Sequence, residues 1–222
     1  MAVARTESPL AELGKEAGVE YLAETVATPE GCARIVEETR RRLGQIEILV
    51  NNAGVGSARE REIWQLEPEV WHETMATNLH GPFELTRLAA RDMVRLGYGR
   101  IVMVSSTSGE VGGPRYSAYC ASKHGLLGLM RAVAHDVGRF GVTCNAVCPG
   151  FVHTPMAEAW IERQVAERGV SRDQVWEEAV AGYPARRMLT PEEIAVTIAF
   201  LASSEASGIN GEAVTVALGG LW

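Results

Sequence analysis

From residue 46 onward, short apolar runs rich in β-branched residues alternate with longer stretches whose apolar positions recur every three or four residues. Runs of the first kind suit strands buried on both faces, and the 3.6-residue period suits helices laid across them. The pattern therefore predicts an α/β chain with a mostly parallel sheet covered by helices. Strands are predicted at 46–50, 100–105, 142–147 and 214–218. A helix is predicted at 68–96, opened by Pro68 and stopped by Gly97, and another at about 116–139. A last helix, ending near 202, starts at Thr190-Pro191-Glu192-Glu193, a capping threonine with proline and glutamate in the first turn. Each strand leads through a loop into a helix, and Asn51-Asn52-Ala53-Gly54 and Pro149-Gly150 mark two of those exits.

Residues 151–183 break the rhythm, being charged and carrying Trp160 and Trp176 on otherwise polar helical stretches. They predict an excursion from the core, a substrate lid over 151–189 within a single domain of 222 residues. The first 45 residues offer two short strands, 2–4 and 20–23, and helical segments at 8–16 and 29–43. No internal repeat or low-complexity tract interrupts the chain.

Composition narrows the class. An apolar fraction of 46% over 222 residues fills one core. The net charge of -7 gives no support to a nucleic-acid or anionic-membrane partner. Cys32, Cys120, Cys144 and Cys148 form no CxxC pair and have no histidine at zinc-ligand spacing, so they read as reduced packing residues of a cytoplasmic protein. No stretch reaches the roughly 18 apolar residues of a membrane span, and the first ten residues hold no apolar signal segment.

Tyr119 and Lys123 lie four apart on the helix predicted at 116–139, so their side chains leave one face at neighbouring turns. A tyrosine hydroxyl, with an ordinary pKa of about 10, is a poor proton donor at neutral pH; a nearby ammonium stabilises the phenolate and makes it a usable acid. With five tyrosines and two lysines in the chain, chance supplies roughly 0.05 such pairs. Ser106, just past the strand at 100–105, stands where open α/β sheets place their binding loops and could hydrogen-bond a substrate carbonyl; the alternative is a turn or cap serine.

These motifs resemble the classical short-chain dehydrogenase/reductase family. The resemblance rests on Arg-Ile-Val-Met-Val-Ser-Ser ending at Ser106 and on Tyr119-Cys120-Ala121-Ser122-Lys123. It rests also on Asn51-Asn52-Ala53-Gly54, on Asn78 within Thr77-Asn78-Leu79, and on Asn145-Ala146-Val147-Cys148-Pro149-Gly150. It covers about 44–220 and implies a doubly wound, Rossmann-like sheet with helices on both faces. It also implies a catalytic set: Tyr119 as acid/base, Ser106 polarising the carbonyl, Lys123 lowering the tyrosine pKa and holding the nicotinamide ribose, and Asn78 helping to hold a relay water. Cofactor contacts are implied for Asn51, Ala53 and Gly54 through their backbone, and for Pro149 and Gly150 around the nicotinamide. Val152 and Thr154 would reach its carboxamide, with Thr154 equally a helix N-cap before Pro155. Within the family, Lys123-His124-Gly125 and 145–156 are most similar to aromatic polyketide ketoreductases and 3-oxoacyl-carrier-protein reductases.

Two features depart from the family pattern. No strand followed by Thr-Gly-xxx-Gly-x-Gly precedes the first segment, so the chain reads as N-terminally truncated, starting inside the family's second strand. Arg5 then stands where an arginine pairs with the adenosine 2′-phosphate, which favours NADP over NAD. Thr25 occupies the place of an adenine-contacting aspartate. Because the family's first strand is central, its loss predicts altered or swapped pairing around 46–50. The expected activity is hydride transfer between NADP(H) and a ketone or secondary alcohol, the alternative being a catalytically silent association or binding module. The resemblance further implies a homo-oligomer, dimer or tetramer, paired through the helices at 68–96 and 116–139, with Trp222 a candidate for burial in that contact.

Overall fold

The structure is a computed structural model that describes residues 1–56, 59 and 61–220, so Trp222 lies outside the described residues. The N-terminal unit is strand β1 (Ala2–Ala4), helix α1 (Glu7–Ala17), strand β2 (Tyr21–Ala23) and helix α2 (Pro29–Leu43). Thr28 caps α2 by accepting from the Gly31 N–H, with Pro29 fixing the first turn. There follow β3 (Ile48–Asn51), α3 (Pro68–Met75), a π-helical turn (Ala76–His80) and α4 (Gly81–Leu96). The rest is β4 (Gly99–Val104), α5 (Ser117–Val137), β5 (Val142–Pro149), α6 (Pro155–Arg168), α7 (Arg172–Ala181), α8 (Pro191–Leu201) and β6 (Ala213–Val216).

Strands β3-β4-β5-β6 form a parallel sheet in that order. On one face Ile101, Met103, Cys144, Ala146 and Cys148 pack with Met93 of α4 and with Leu126, Leu127 and Met130 of α5. Val102 and Val147 point to the other face, where Ile194 and Leu201 of α8 meet them. Alternate residues of the two central strands thus feed two cores, which is why their sequences are apolar almost without a break. Each fully buried isoleucine, leucine or methionine contributes about 2 kcal/mol through removal from water. The sequence-predicted α/β architecture with helices on both faces is the one observed.

The helix predicted at 68–96 contains a discontinuity at Ala76–His80, where the chain widens to a π turn and the Gly81 N–H bonds to the Ala76 carbonyl. Pro82 supplies a reason: it has no N–H to give to the carbonyl of Asn78, four residues back, and its ring crowds that oxygen.

The sheet is interrupted at β3. β1 pairs only with β2, and β3 pairs only with β4 among the described residues. The Arg100 N–H donates to the Glu47 carbonyl, so strand alternation turns the backbone groups of Leu49 and Asn51 toward β4 and those of Ile48 and Val50 toward the open edge. Ile48 and Val50 are also 49% and 39% exposed, whereas Asn51 is 4% exposed. The expected disturbance of pairing therefore takes the form of an open edge. The N-terminal segments do not close it: β1 pairs with β2, and the Met1, Val3 and Leu22 side chains pack on the same core as Leu49.

Helices α6 and α7 build a small core of their own around Ile161, Val175, Val180 and Met188, with Phe151, Trp160 and Trp176 packed against it. A parallel bridge between Val152 and Leu189, outside the sheet, ties the two ends of this segment together. Both helices fall within 151–189, the span that the sequence reading expects to leave the core.

Candidate active site

The carboxyl ends of β3, β4 and β5 open into a cavity of about 450 Å³, roofed by residues of α6 and α7. Open parallel sheets leave such a crevice where strands end and loops diverge. Gly54, Ser106, Tyr119, Lys123, Pro149, Gly150, Val152 and Thr154 all line it. Residues 46–154 thus deliver eight sequence-predicted positions to one place.

Tyr119 and Lys123 project into the cavity from the first two turns of α5, with the Lys123 Nζ 5.7 Å from the centroid of the Tyr119 ring. Lys123 is 4% exposed, and its ammonium donates to the Val104 carbonyl at 2.8 Å. Burial disfavours the charged form and lowers its pKa from the usual 10.5 to about 8. Most copies still carry the charge at neutral pH, and two of the three ammonium protons remain for the cavity side.

The loop after β4 locks this helix in place. Ser105 donates to the Lys123 carbonyl at 3.2 Å. A Cβ at Gly109 would stand 2.7 Å from the Ser105 Oγ and 3.0 Å from the Lys123 carbonyl oxygen, so only glycine permits that approach. Ser106 accepts from the Ser108 N–H at 3.1 Å, capping the short turn that follows. The cap uses a lone pair of the hydroxyl and leaves its proton to donate into the cavity. Cap and carbonyl ligand are compatible roles for this serine.

Asn78 does not line the cavity; it is 1% exposed and holds a wall of it. Its Oδ1 accepts from the Val55 N–H at 2.8 Å, and its Nδ2 donates to the Val55 carbonyl at 3.0 Å and to the Ser122 Oγ at 3.1 Å. A Cβ at Gly54 would lie 3.3 Å from the Asn78 Oδ1 and 3.8 Å from the Lys123 Nζ, so glycine keeps this approach open. Asn51 turns inward, its Nδ2 donating to the Thr86 Oγ1 at 3.2 Å, which ties β3 to α4 and leaves only its backbone for a ligand. Ala53 is exposed and outside the cavity lining, and Arg5 is exposed just past β1, also outside it.

On the far wall the Gly150 N–H bonds to the Val216 carbonyl at 2.9 Å, carrying β5 one residue past Pro149. Thr154 accepts from the Ala157 N–H at 3.4 Å, so it caps α6 as well as lining the cavity. Tyr183, between α7 and α8, accepts from the Phe151 N–H at 2.9 Å and lies within 3.1 Å of a Cβ built on Gly150. Burial raises the pKa of this phenol, so it stays neutral. With Trp160 of the anticipated lid, Tyr116, Met156 and Tyr183, which no local pattern announced, complete an apolar, largely aromatic mouth.

The residues present fit the nicotinamide end of a dinucleotide. Glycines at 54 and 150 leave room that a Cβ would fill, Lys123 offers buried donors, and Ser106 and Tyr119 offer hydroxyls to a carbonyl in the same cavity. All four cysteines are free thiols, and burial raises those of Cys144 and Cys148 to about 12 and about 11, so neither is a nucleophile at neutral pH.

Comparison with known proteins points the same way. Residues 2–220 match the family model described as Enoyl-(Acyl carrier protein) reductase. A D-beta-hydroxybutyrate dehydrogenase of Rhizobium meliloti (strain 1021) is 38% identical over 189 residues, 85% of this chain and 72% of the relative. The 3-oxoacyl-(acyl-carrier-protein) reductase of Escherichia coli (strain K12) is 35% identical over 191 residues, 86% of this chain and 73% of the relative. The crystal structure of an actinorhodin polyketide ketoreductase variant with NADPH superposes with a TM-score of 0.90 at 34% identity, covering 99% of this chain and 87% of that one.

Proposed function

The chain belongs to the short-chain dehydrogenase/reductase family of nicotinamide-dependent oxidoreductases, and we propose that it interconverts a ketone and a secondary alcohol with NADP(H), on 3-oxoacyl or polyketide-type substrates. The observation that carries this reading is the convergence of Ser106, Tyr119 and the buried ammonium of Lys123 on one cavity. Gly54, Lys123, Pro149 and Gly150 would hold a nicotinamide in this cavity, and its chemistry when bound would be hydride exchange with the carbonyl carbon.

The chain's own residues do the rest. Ser106 donates its free proton to the carbonyl oxygen, orienting it and stabilising charge that develops there. Tyr119 gives its phenolic proton to that oxygen in reduction and takes it back in oxidation. Lys123 stabilises the phenolate left behind and offers its remaining protons to the ribose. Tyr116, Trp160 and Tyr183 exclude water and favour an extended apolar substrate beside the reacting carbonyl. The two-helix layer over 151–189 acts as the lid.

The preference for NADP rests on Arg5, a cation exposed at the carboxyl end of β1, and on the NADPH named with the actinorhodin relative. Pairing of chains through α4 and α5 is favoured by Phe83 and Leu96, 45% and 37% exposed on α4. A second reading, a silent association module, is favoured by the open edge of β3. Fluorescence titration with NADPH, with and without a 3-oxoacyl thioester, separates the two. Saturable binding below millimolar NADPH supports the enzyme; no binding at millimolar NADPH rejects it.

A further inference from the structure

The bonds around Asn78 connect two parts of the site that the sequence keeps far apart, and their hub is a residue outside the cavity lining. Ser122 precedes Lys123 on α5 and is 0% exposed. Its hydroxyl donates to the Tyr119 carbonyl at 2.7 Å, one turn back along the helix. With its proton committed there, the Oγ presents only lone pairs, and one of them receives the Asn78 Nδ2 at 3.1 Å. The remaining polar groups of the Asn78 amide pair with both backbone groups of Val55, as one strand pairs with another.

We propose that Ser122 is a positioning residue for hydride transfer: through Asn78 it fixes the distance between the Gly54–Val55 loop and the turn of α5 that carries Tyr119 and Lys123. The proposal rests on the reductase reading and deepens it. The orientation of the amide is over-determined. Turned by 180°, Asn78 would set NH₂ against the Val55 N–H and oxygen against the Val55 carbonyl. With Ser122 replaced by alanine, one Nδ2 proton is left buried without an acceptor. The amide is then tied to Val55 alone and no longer to α5, so the loop is free to shift relative to that helix. Gly54 moves with Val55, and a Cβ at Gly54 would stand 3.3 Å from the Asn78 Oδ1 and 3.8 Å from the Lys123 Nζ, so a shift there reaches the lysine. The reacting groups stay present, and the geometry between the two walls is lost.

Three variants of the full chain test this: S122A, N78A and the double variant. S122A lowers kcat for ketone reduction about tenfold, as loss of one buried hydrogen bond would, with KM for the ketone within about twofold of wild type. The double variant falls no further than N78A, because the two residues act as one link. A purely structural serine would lower the thermal midpoint, leave kcat intact and add independently to N78A. Hydrogen exchange at the Val55 amide gives a readout that needs no turnover. It speeds up about tenfold in S122A, while the amides between β4 and β5 keep wild-type protection. Wild-type Val55 exchange in S122A overturns the proposal, as do additive losses in kcat. A wild-type chain that reduces no ketone sinks the reductase reading instead, and Val55 exchange still decides whether Ser122 holds the loop.

Discussion

Lys123 sets its ammonium 5.7 Å from the centre of the Tyr119 ring while giving one proton to the Val104 carbonyl at 2.8 Å. The lysine is thereby anchored to the end of β4 and its charge is directed at the phenol one turn earlier on α5. Spacing along one helix brings the two residues together, and the neighbouring strand fixes their orientation.

This arrangement fixes a pH dependence. Burial lowers the Lys123 pKa from 10.5 to about 8, so the charge is costly in the folded state and is lost more easily there than in the unfolded chain. Between those two values the unfolded chain binds more protons, and this group makes stability rise with pH; below about 8 its penalty is present in full. The rate runs the opposite way: kcat/KM for carbonyl reduction falls as pH climbs through about 8, because the charge that stabilises the phenolate disappears. Initial rates from pH 6 to 10 check this, and K123M removes the stability slope.

Asp92, 0% exposed, holds the scaffold beneath the site. It accepts two bonds from Arg40 of α2, at 2.8 and 3.1 Å, a third from Arg95, and one from the Ile46 N–H ahead of β3. Burial alone would raise its pKa, but the bonds from Arg40 and Arg95 outweigh it and hold the carboxylate below the usual 3.8. Its stabilising contribution is therefore present above that value and is lost as acidification takes the pH below it. D92N takes the charge away from Arg40 and Arg95, which are 38% and 66% exposed and stay hydrated, and destabilises the fold by about 1 kcal/mol, read as a lower urea midpoint at pH 7 with an unchanged slope.

The elements that depend on local spacing were legible in the sequence. Strands β3 to β6, the capping box of α8 and the Tyr119–Lys123 pair lie where residue order places them. Ser122 and Asn78 are 44 residues apart, and Tyr183 and Phe151 are 32 apart, so their bonds exist only once the sheet has brought separate loops together. The π turn at Ala76–His80 escaped notice for a different reason: the apolar period runs through it undisturbed, and only Pro82 betrays it. Asn51 shares its motif with Gly54, but strand alternation sends its side chain to Thr86 and away from the cavity.

The open edge of β3 has its own signature. The Ile48 and Val50 backbone groups face away from β4, whereas those of Leu49 and Asn51 face it. Amide exchange at Ile48 and Val50 will be at least about 100-fold faster than at Leu49 and Asn51. Equal protection along the strand would mean that another strand pairs with this edge in solution.

The central claim is that Tyr119 passes the proton in a nicotinamide-dependent carbonyl reduction. The most direct measurement is the loss of NADPH absorbance with a 3-oxoacyl thioester, for the wild-type chain and for Y119F side by side. Steady NADPH consumption by wild type is expected, with kcat lowered about 10²- to 10⁴-fold in Y119F and NADPH binding retained. Wild-type protein that consumes no NADPH, or Y119F that turns over as fast as wild type, would contradict it.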